Sequence, residues 1–489
     1  MSAIPSASDA AGRLARAALA RVPAAALLLA AAAATAQPHV ERPDQILVES
    51  RSAPGVRAAL IAHARAVRAK NASEAADAML YAGQSCERSG LADSAAACYR
   101  DAVALRRSNV ERLVLADVLL GRGRAPDLIE AYALVGGMVA STPPGAYDRA
   151  DVMLRSMWVQ HLAGHPDSAV RALDELGQAP ALQGRWALRA ARVMVEDANR
   201  PGPAVGLLLP LEIRSRSQDR EVHELFVRAT GAFGRPEEQV AGIVAADLAR
   251  RDQVEMSLLG RLDARRLPLR AADGFLLSSV VRPAAPGAPA AIVLSMGDTL
   301  AHYDSLIVQL HESGFAVMVV EPRGYGASVG PPCPNPMRWE GRQHELEEQL
   351  ARDAALALGA LGELGPVDTT RAIVVGAGFT TRAAVRAAEL RPEFRAIVLA
   401  SAEPARVDRG MMIASVERAA RPMFLQTAPE DLVDLYYFSD ALYQAADRRA
   451  SRVSSGVSSG RYAEQLRSDP MSGARFRQWL AELRAGWTR

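Results

Sequence analysis

The stretch that decides the fold of this chain is AIVVGAGFTTRAA, from Ala372 to Ala384. It begins as an apolar, β-branched run that is typical of a buried strand, and it ends as a helix-forming run. The glycine-rich corner between these runs predicts a tight turn. The middle of that corner holds Ala377, Gly378 and Phe379, and none of these side chains is a nucleophile.

The composition excludes several classes of protein. The chain has 489 residues, a hydrophobic fraction of 49% and a net charge of +2, which indicates two or three globular domains and no nucleic-acid partner. Its three cysteines are too few for a disulfide framework, although Cys86 and Cys98 fall on neighbouring helical segments and can pair if their faces meet. No spacing of Cys and His predicts a metal site, and no cofactor is expected.

The N-terminus has the pattern of a secretory signal peptide. Arg13, Arg16 and Arg21 precede an apolar, alanine-rich run that ends in a small-residue site, ATA, at residues 34–36. We therefore expect a signal peptide over residues 1–36, a linker over 37–55, and a periplasmic or extracellular protein without a transmembrane segment after cleavage. The alternative is that the alanine-rich run stays uncleaved as a helix or anchor.

Residues 56–264 carry successive helical patterns separated by short turns. The clearest unit runs from Met79 to Asn109, with small residues Ala82 and Gly83 in its first helix and Tyr99 in its second. This unit resembles a tetratricopeptide repeat, which implies an α-solenoid that binds a protein or peptide partner. Turn glycines recur at irregular spacing further on, at Gly123, Gly164 and Gly234. An irregular helical bundle is the alternative.

Residues 265–489 change to short apolar runs that alternate with helical patterns. Five runs are typical of buried strands: AIVLSMG, FAVMVVEPRGYGAS, AIVVGAG, AIVLASA and PMFLQTA. Helical segments lie between several of them. Continuous apolar strands with crossover helices predict a doubly wound α/β sheet covered on both faces.

The motif EPRGYGAS, Glu321 to Ser328, and the strand-turn-helix corner at Gly378 follow one another in this part. Together they resemble the α/β-hydrolase family. The resemblance implies a catalytic serine at the sharp corner, called the nucleophile elbow, followed along the chain by an acid and then a histidine.

This chain departs from the family at two of the three catalytic positions. The resemblance places Gly378 where the serine belongs, Asp431 at the acid and Arg461 at the histidine. The last histidine of the chain is His344, upstream of the elbow, so no residue after Gly378 can serve as the usual base. We expect Asp431 and Arg461 to form an ion pair; the alternative is that Arg461 points into solvent.

The leading hypothesis is an exported, non-catalytic protein that binds through its helical repeats and a retained hydrolase pocket. The resemblance implies that the backbone N–H groups of Met296 and Gly297 line the former oxyanion site, beside Gly378 and Phe379. Arg461 is a further binding candidate. A small apolar or acyl-like ligand would suit such a pocket.

Two other hypotheses remain. The first is an active serine-type esterase or peptidase with a rearranged site, in which His302 approaches a new nucleophile. Candidate hydroxyls at strand ends and corners are Ser295, Ser328, Ser401, Thr380 and Thr381. His311 and His344 are the other histidines of this part. The second is a structural envelope scaffold whose pocket is filled by Phe379 and its neighbours.

Overall fold

The structure is a computed structural model, and it describes residues 42–177, 182–296, 300–402, 404–427, 433–446, 450–454 and 470–487. Residues 46–489 form one compact unit. The predicted signal peptide and the first residues of the linker lie outside the described residues. The predicted domain boundaries stay predictions.

The first part of the chain, here called the helical part, contains helices only among its described residues. Its helices are α1 (Arg42–Glu49), α2 (Ala53–Val67), α3 (Ala72–Arg88), α4 (Ala92–Leu105), α5 (Asn109–Arg122), α6 (Ala125–Ser141), α7 (Arg149–Leu162), α8 (Pro166–Leu176), α9 (Gly184–Glu196), α10 (Pro201–Arg214), α11 (Arg220–Ala232) and α12 (Glu237–Leu262).

Helices α3 and α4 show how small residues allow close packing in the helical part. A side chain at Gly83 would meet the Tyr99 ring at 2.3 Å, so only glycine admits this ring. The Tyr99 hydroxyl donates to Glu87 at 2.9 Å. Cys86 and Cys98 are buried free thiols that hydrogen-bond to each other, which lowers the pKa of Cys86. The faces that carry these cysteines therefore do meet.

The second part, here called the α/β part, follows from residue 265. Its strands are β1 (Arg265–Arg270), β2 (Leu276–Arg282), β3 (Pro289–Leu294), β4 (Ala316–Val320), β5 (Asp368–Ala377), β6 (Phe394–Ala400), β7 (Met423–Thr427) and β8 (Ala450–Ser454). Its helices are α13 (Asp304–Glu312), α14 (Gln343–Glu363), α15 (Thr381–Leu390), α16 (Arg409–Ala419), α17 (Val433–Ala445) and α18 (Pro470–Trp487).

The strands form a single mixed sheet in the order β1-β2-β4-β3-β5-β6-β7-β8. The strands from β3 to β8 run parallel, whereas β2 is antiparallel to both β1 and β4. The five strands predicted from apolar runs are β3 to β7. One face of the sheet packs against α14 to α17, and the other packs against α12, α13 and α18. The doubly wound α/β sheet is therefore confirmed.

None of the helices among the described residues is both long and apolar enough to cross a membrane.

Candidate functional site

The corner at Gly378 has the geometry of an elbow. Strand β5 ends at Ala377, a single turn of 3₁₀ helix follows over Gly378–Thr380, and α15 begins at Thr381. Gly378 has a φ of 52°, the left-handed conformation that costs a side-chain-bearing residue about 1–3 kcal/mol. Glycine adopts it without strain. The corner thus keeps the shape of an elbow without its nucleophile.

The elbow is tightly built. A side chain at Gly376 would lie 2.8 Å from both Ala384 Cβ and Thr381 Cα, so only glycine lets α15 approach β5 this closely. The buried Thr380 hydroxyl accepts from the Ala377 N–H at 3.0 Å and lies 3.1 Å from the Leu294 carbonyl of β3. The threonine thus fastens the corner to the neighbouring strand.

The EPRGYGAS corner is held by a backbone hydrogen bond and a buried ion pair. The Glu321 carboxylate accepts from the Ala327 N–H at 2.8 Å, and a side chain at Gly326 would collide with that carboxylate at 2.7 Å. Arg323 donates two parallel hydrogen bonds of 2.9 Å to the buried Asp353 of α14. This motif therefore ties the loop after β4 to the helix behind the sheet.

Two of the hydroxyls proposed for a rearranged site donate to backbone carbonyls. Thr381 donates to the Gly378 carbonyl at 2.7 Å, and Ser328 donates to the Glu321 carbonyl at 2.8 Å. Ser295 and Ser401 are buried at the carboxyl ends of β3 and β6. In Thr381 and Ser328 the hydroxyl therefore serves the backbone.

The three histidines of the α/β part also interact with other groups of the protein. His302 lies in the 3₁₀ turn before α13. His311 lies 3.0 Å from the Pro283 carbonyl, beyond β2. His344 contacts Ser89, a serine of the helical part.

Ser89, His344 and Asp408 form a hydrogen-bonded line between the two parts of the chain. Ser89 Oγ lies 3.1 Å from His344 Nδ1, and His344 Nε2 lies 2.7 Å from Asp408 Oδ1. These three residue types in this order resemble a serine–histidine–acid triad. Ser89 follows α3, His344 opens α14 and Asp408 precedes α16, so no sequence spacing reveals the arrangement.

Two further hydrogen bonds fix the direction in which the Ser89 hydroxyl donates its proton. Its hydroxyl donates to the Ser85 carbonyl at 2.9 Å and accepts from Arg57 Nη1 at 3.1 Å. With the hydroxyl proton used in this way, Ser89 Oγ can only accept from His344. The imidazole then donates from both nitrogens, one of them to Asp408. This arrangement holds the imidazole between two partners and leaves neither of its nitrogens free to act as a base.

The same cluster has the spacing of a cation site, and its charges are already balanced. Ligand atoms of His344, Glu347 and Asp408 lie within 4.8 Å of one another. Arg88 contacts Asp408 at 2.6 Å and Glu347 at 2.8 Å, and Arg382 donates to Glu347 as well. Two guanidinium groups beside two carboxylates fit a buried ion network better than a metal site.

The two carboxyl groups of this network differ in pKa. Burial raises the pKa of Asp408, but the hydrogen bond from His344 and the charge of Arg88 outweigh burial, so its pKa lies below the usual range. Burial raises the pKa of Glu347, and the charge of Arg382 offsets this only in part. Protons are therefore taken up by Glu347 before Asp408 as the pH falls.

A cleft of about 1060 Å³ opens beside the elbow and this network. The helical part contributes Trp186, Arg189 and Arg214 to its lining, and the α/β part contributes Tyr325, Phe379 and Arg382. The Tyr325 and Phe379 rings stack with their centroids 5.6 Å apart. Phe379 directly follows Gly378, so the cleft opens beside the elbow. Its lining extends onto the helices, which the sequence did not indicate.

Of the remaining predicted site residues, one is described by the structure and three lie outside the described residues. The Met296 N–H donates to the Tyr303 hydroxyl at 2.7 Å, so this donor is engaged within the protein. Gly297, Asp431 and Arg461 lie outside the described residues, and so does the predicted ion pair between the last two. Their roles stay predictions.

We expect Gly378→Ser to lower stability without creating a hydrolase. A serine at a φ of 52° should cost about 1–2 kcal/mol of unfolding free energy, and no histidine follows position 378 in the chain to act as the usual base. Urea unfolding and hydrolysis of a p-nitrophenyl ester would measure both effects. Gly378→Ala is the control, since it carries the same backbone cost without the hydroxyl. Ester hydrolysis by the serine variant about 100-fold above the alanine variant would contradict this expectation.

No protein-family model and no curated protein sequence matches this chain. Among solved structures, a putative dienelactone hydrolase from Klebsiella pneumoniae subsp. pneumoniae MGH 78578 is 16% identical, with a TM-score of 0.35 over 45% of this chain and 98% of that one. The Pyrococcus furiosus esterase Pf2001 is 14% identical, with a TM-score of 0.36 over 46% of this chain and 92% of that one. Similarity at these TM-scores carries no argument about activity.

Proposed function

We propose that this protein is an exported, non-catalytic binding protein in which a repeat-like helical part and an α/β-hydrolase-like part share one ligand cleft. The observation that carries the proposal is the open cleft beside an elbow whose nucleophile position is a glycine. Hydrogen-bond donors and a pocket without a nucleophile give affinity but no turnover.

The cleft also favours a binding protein over a structural scaffold. A scaffold would be expected to fill its former pocket with side chains, whereas about 1060 Å³ stays open here. This volume slightly exceeds the range that small-ligand pockets usually offer, about 300–1,000 Å³. Phe379 lines the cleft and does not close it.

A protein or peptide partner on the helices is part of the same proposal. Ile129 of α6 is 73% exposed, and Tyr147, between α6 and α7, is fully exposed. Large exposed apolar side chains of this kind are common at contact surfaces. The export signal and the tetratricopeptide-like character of the helices belong to the proposal too, on the sequence patterns given above.

Blocking the cleft tests the proposal. Gly121 of α5 lines the cleft, and a side chain there meets no atom within 4 Å, so Gly121→Trp should place an indole in the open space without disturbing the fold. We expect the neutral fluorophore N-phenyl-1-naphthylamine to bind the wild-type protein with one site per chain, and this variant about 10-fold more weakly.

Gly136→Trp is the matched control. Gly136 is also a helical glycine with no atom within 4 Å of an added side chain, and it lies on α6 away from the cleft lining. Its binding should equal that of the wild-type protein. No saturable binding to the wild-type protein, or equal loss in both variants, would overturn the proposed binding cleft.

A serine-type hydrolase is the second candidate function, and it rests on the Ser89–His344–Asp408 line alone. A fluorophosphonate probe distinguishes the two candidates, because it labels only an activated serine. We expect no labelling of the wild-type protein. Labelling that disappears in Ser89→Ala and in His344→Gln would establish the hydrolase and refute the non-catalytic proposal.

A further inference from the structure

We infer that the cleft binds a small organic anion with an apolar body, whose charged group contacts Arg189 and Arg214 and whose body lies against Tyr325 and Phe379. The inference rests on the proposed function and names the class of ligand.

The charge of the lining gives the first reason. Seven arginines and four carboxylates line the cleft, an excess of three positive charges in a chain whose net charge is only +2. A concave surface with one sign of charge concentrates ligands of the opposite sign. The positive charge of the lining therefore predicts an anionic ligand.

Most of these arginines already have a carboxylate partner. Arg185 lies 3.0 Å from Glu340, Arg122 lies 3.2 Å from Asp127, and Arg342 pairs with Glu345. Arg88 and Arg382 belong to the buried ion network. Such pairs are neutralised, so they add little attraction for a ligand. The two that remain are Arg189 and Arg214.

Arg189 is held in place without a counter-ion among the described residues. Its guanidinium carbon lies 4.6 Å from the Trp186 ring centre and 5.1 Å from the Trp158 ring centre. Burial, with the nearby charge of Arg185, lowers the pKa of Arg189 to about 10, so it stays protonated at neutral pH. A desolvated, positioned guanidinium without a partner binds a carboxylate, sulfonate or phosphate group favourably.

Arg214 supplies the second free charge next to the aromatic pair. It ends α10, and it makes no ion pair with a carboxylate of the described residues. Burial raises the pKa of Tyr325 and the charge of Arg214 opposes this, which places Arg214 near the phenol. Arg214 and the Tyr325–Phe379 stack line the same cleft. Such a site requires a ligand that is charged at one end and apolar at the other.

A pair of dyes tests the inference. The anion 1-anilinonaphthalene-8-sulfonate differs from neutral N-phenyl-1-naphthylamine by its sulfonate, so the difference in their dissociation constants measures the contribution of the charge. We expect the anion to bind at least about 10-fold more tightly than the neutral dye. Arg189→Gln and Arg214→Gln should each weaken the anion about 10-fold and change the neutral dye less than about twofold.

Arg235→Gln is the control, because Arg235 stacks on Phe233 outside the cleft lining. Dodecanoate and dodecyl phosphate then compete with the bound anion and separate a carboxylate ligand from a phosphate ligand. Displacement by either one, and not by dodecyltrimethylammonium, supports the inference. Equal binding of both dyes, or an unchanged anion affinity in both arginine variants, refutes the inference and leaves the proposed binding cleft intact. Failure of both dyes to bind refutes the proposed function itself.

Discussion

Arg323→Met is expected to destabilise the protein by about 3–5 kcal/mol. Arg323 forms a bidentate pair with Asp353, whose side chain is only 2% exposed. Removing the guanidinium leaves a carboxylate that is buried between α14 and the loop after β4 without its charge partner. The unfolding free energy from urea titrations, followed by tryptophan fluorescence, would measure the loss.

Two further variants separate the buried pair from other effects of the substitution. Asp273 is 54% exposed and also pairs with Arg323, so Asp273→Ala should cost no more than about 1 kcal/mol. The double variant Arg323→Met/Asp353→Leu should recover most of the stability, because no unpaired charge then remains buried. If the double variant is as unstable as Arg323→Met, the unpaired carboxylate is not the cause.

Arg88→Met is expected to destabilise the protein by about 3 kcal/mol and to loosen the junction between the helical part and the α/β part. Arg88 contacts Asp408, which has no exposed side-chain surface, and also Glu347. The variant removes the cation that faces both buried acids, leaving His344 on Asp408 and Arg382 on Glu347. Urea unfolding gives the stability, and limited proteolysis between residues 262 and 265 reports the loosening.

Arg51→Met provides the comparison. Arg51 also joins the two parts, through Glu417 at 3.3 Å, but both side chains of this pair are nearly half exposed. Solvent screens such a pair, so its loss should cost about 0–1 kcal/mol. Equal effects of Arg88→Met and Arg51→Met would show that the buried network does not hold the junction.

The sequence was sufficient to predict the central strands because their runs are apolar on both faces. Strands β3 and β4 are buried at every residue, and such runs differ clearly from their surroundings. The edge strands escaped prediction for the opposite reason. Strand β1 reads RRLPLR and is mostly accessible, and β8 reads ASRVS. Edge strands often carry charged or polar residues and lack a continuous apolar pattern.

The elbow was predictable because its features are local in sequence, whereas the rest of the site is not. A turn glycine such as Gly378 follows from its immediate neighbours. The contact of Ser89 with His344 spans 255 residues and joins two parts that the sequence presents as separate. The cleft is also formed by residues distant in sequence, because Arg189 and Phe379 line it together only after the helices have packed against the sheet.

The left-handed glycine at position 378 limits which mutations this corner accepts. A serine introduced there would strain the backbone at once, and no histidine follows it in the chain to act as the usual base. Such a mutation would therefore lower stability before any activity could offset the loss. We expect glycine to be retained at position 378 for the sake of the backbone alone, whatever the neighbouring cleft binds.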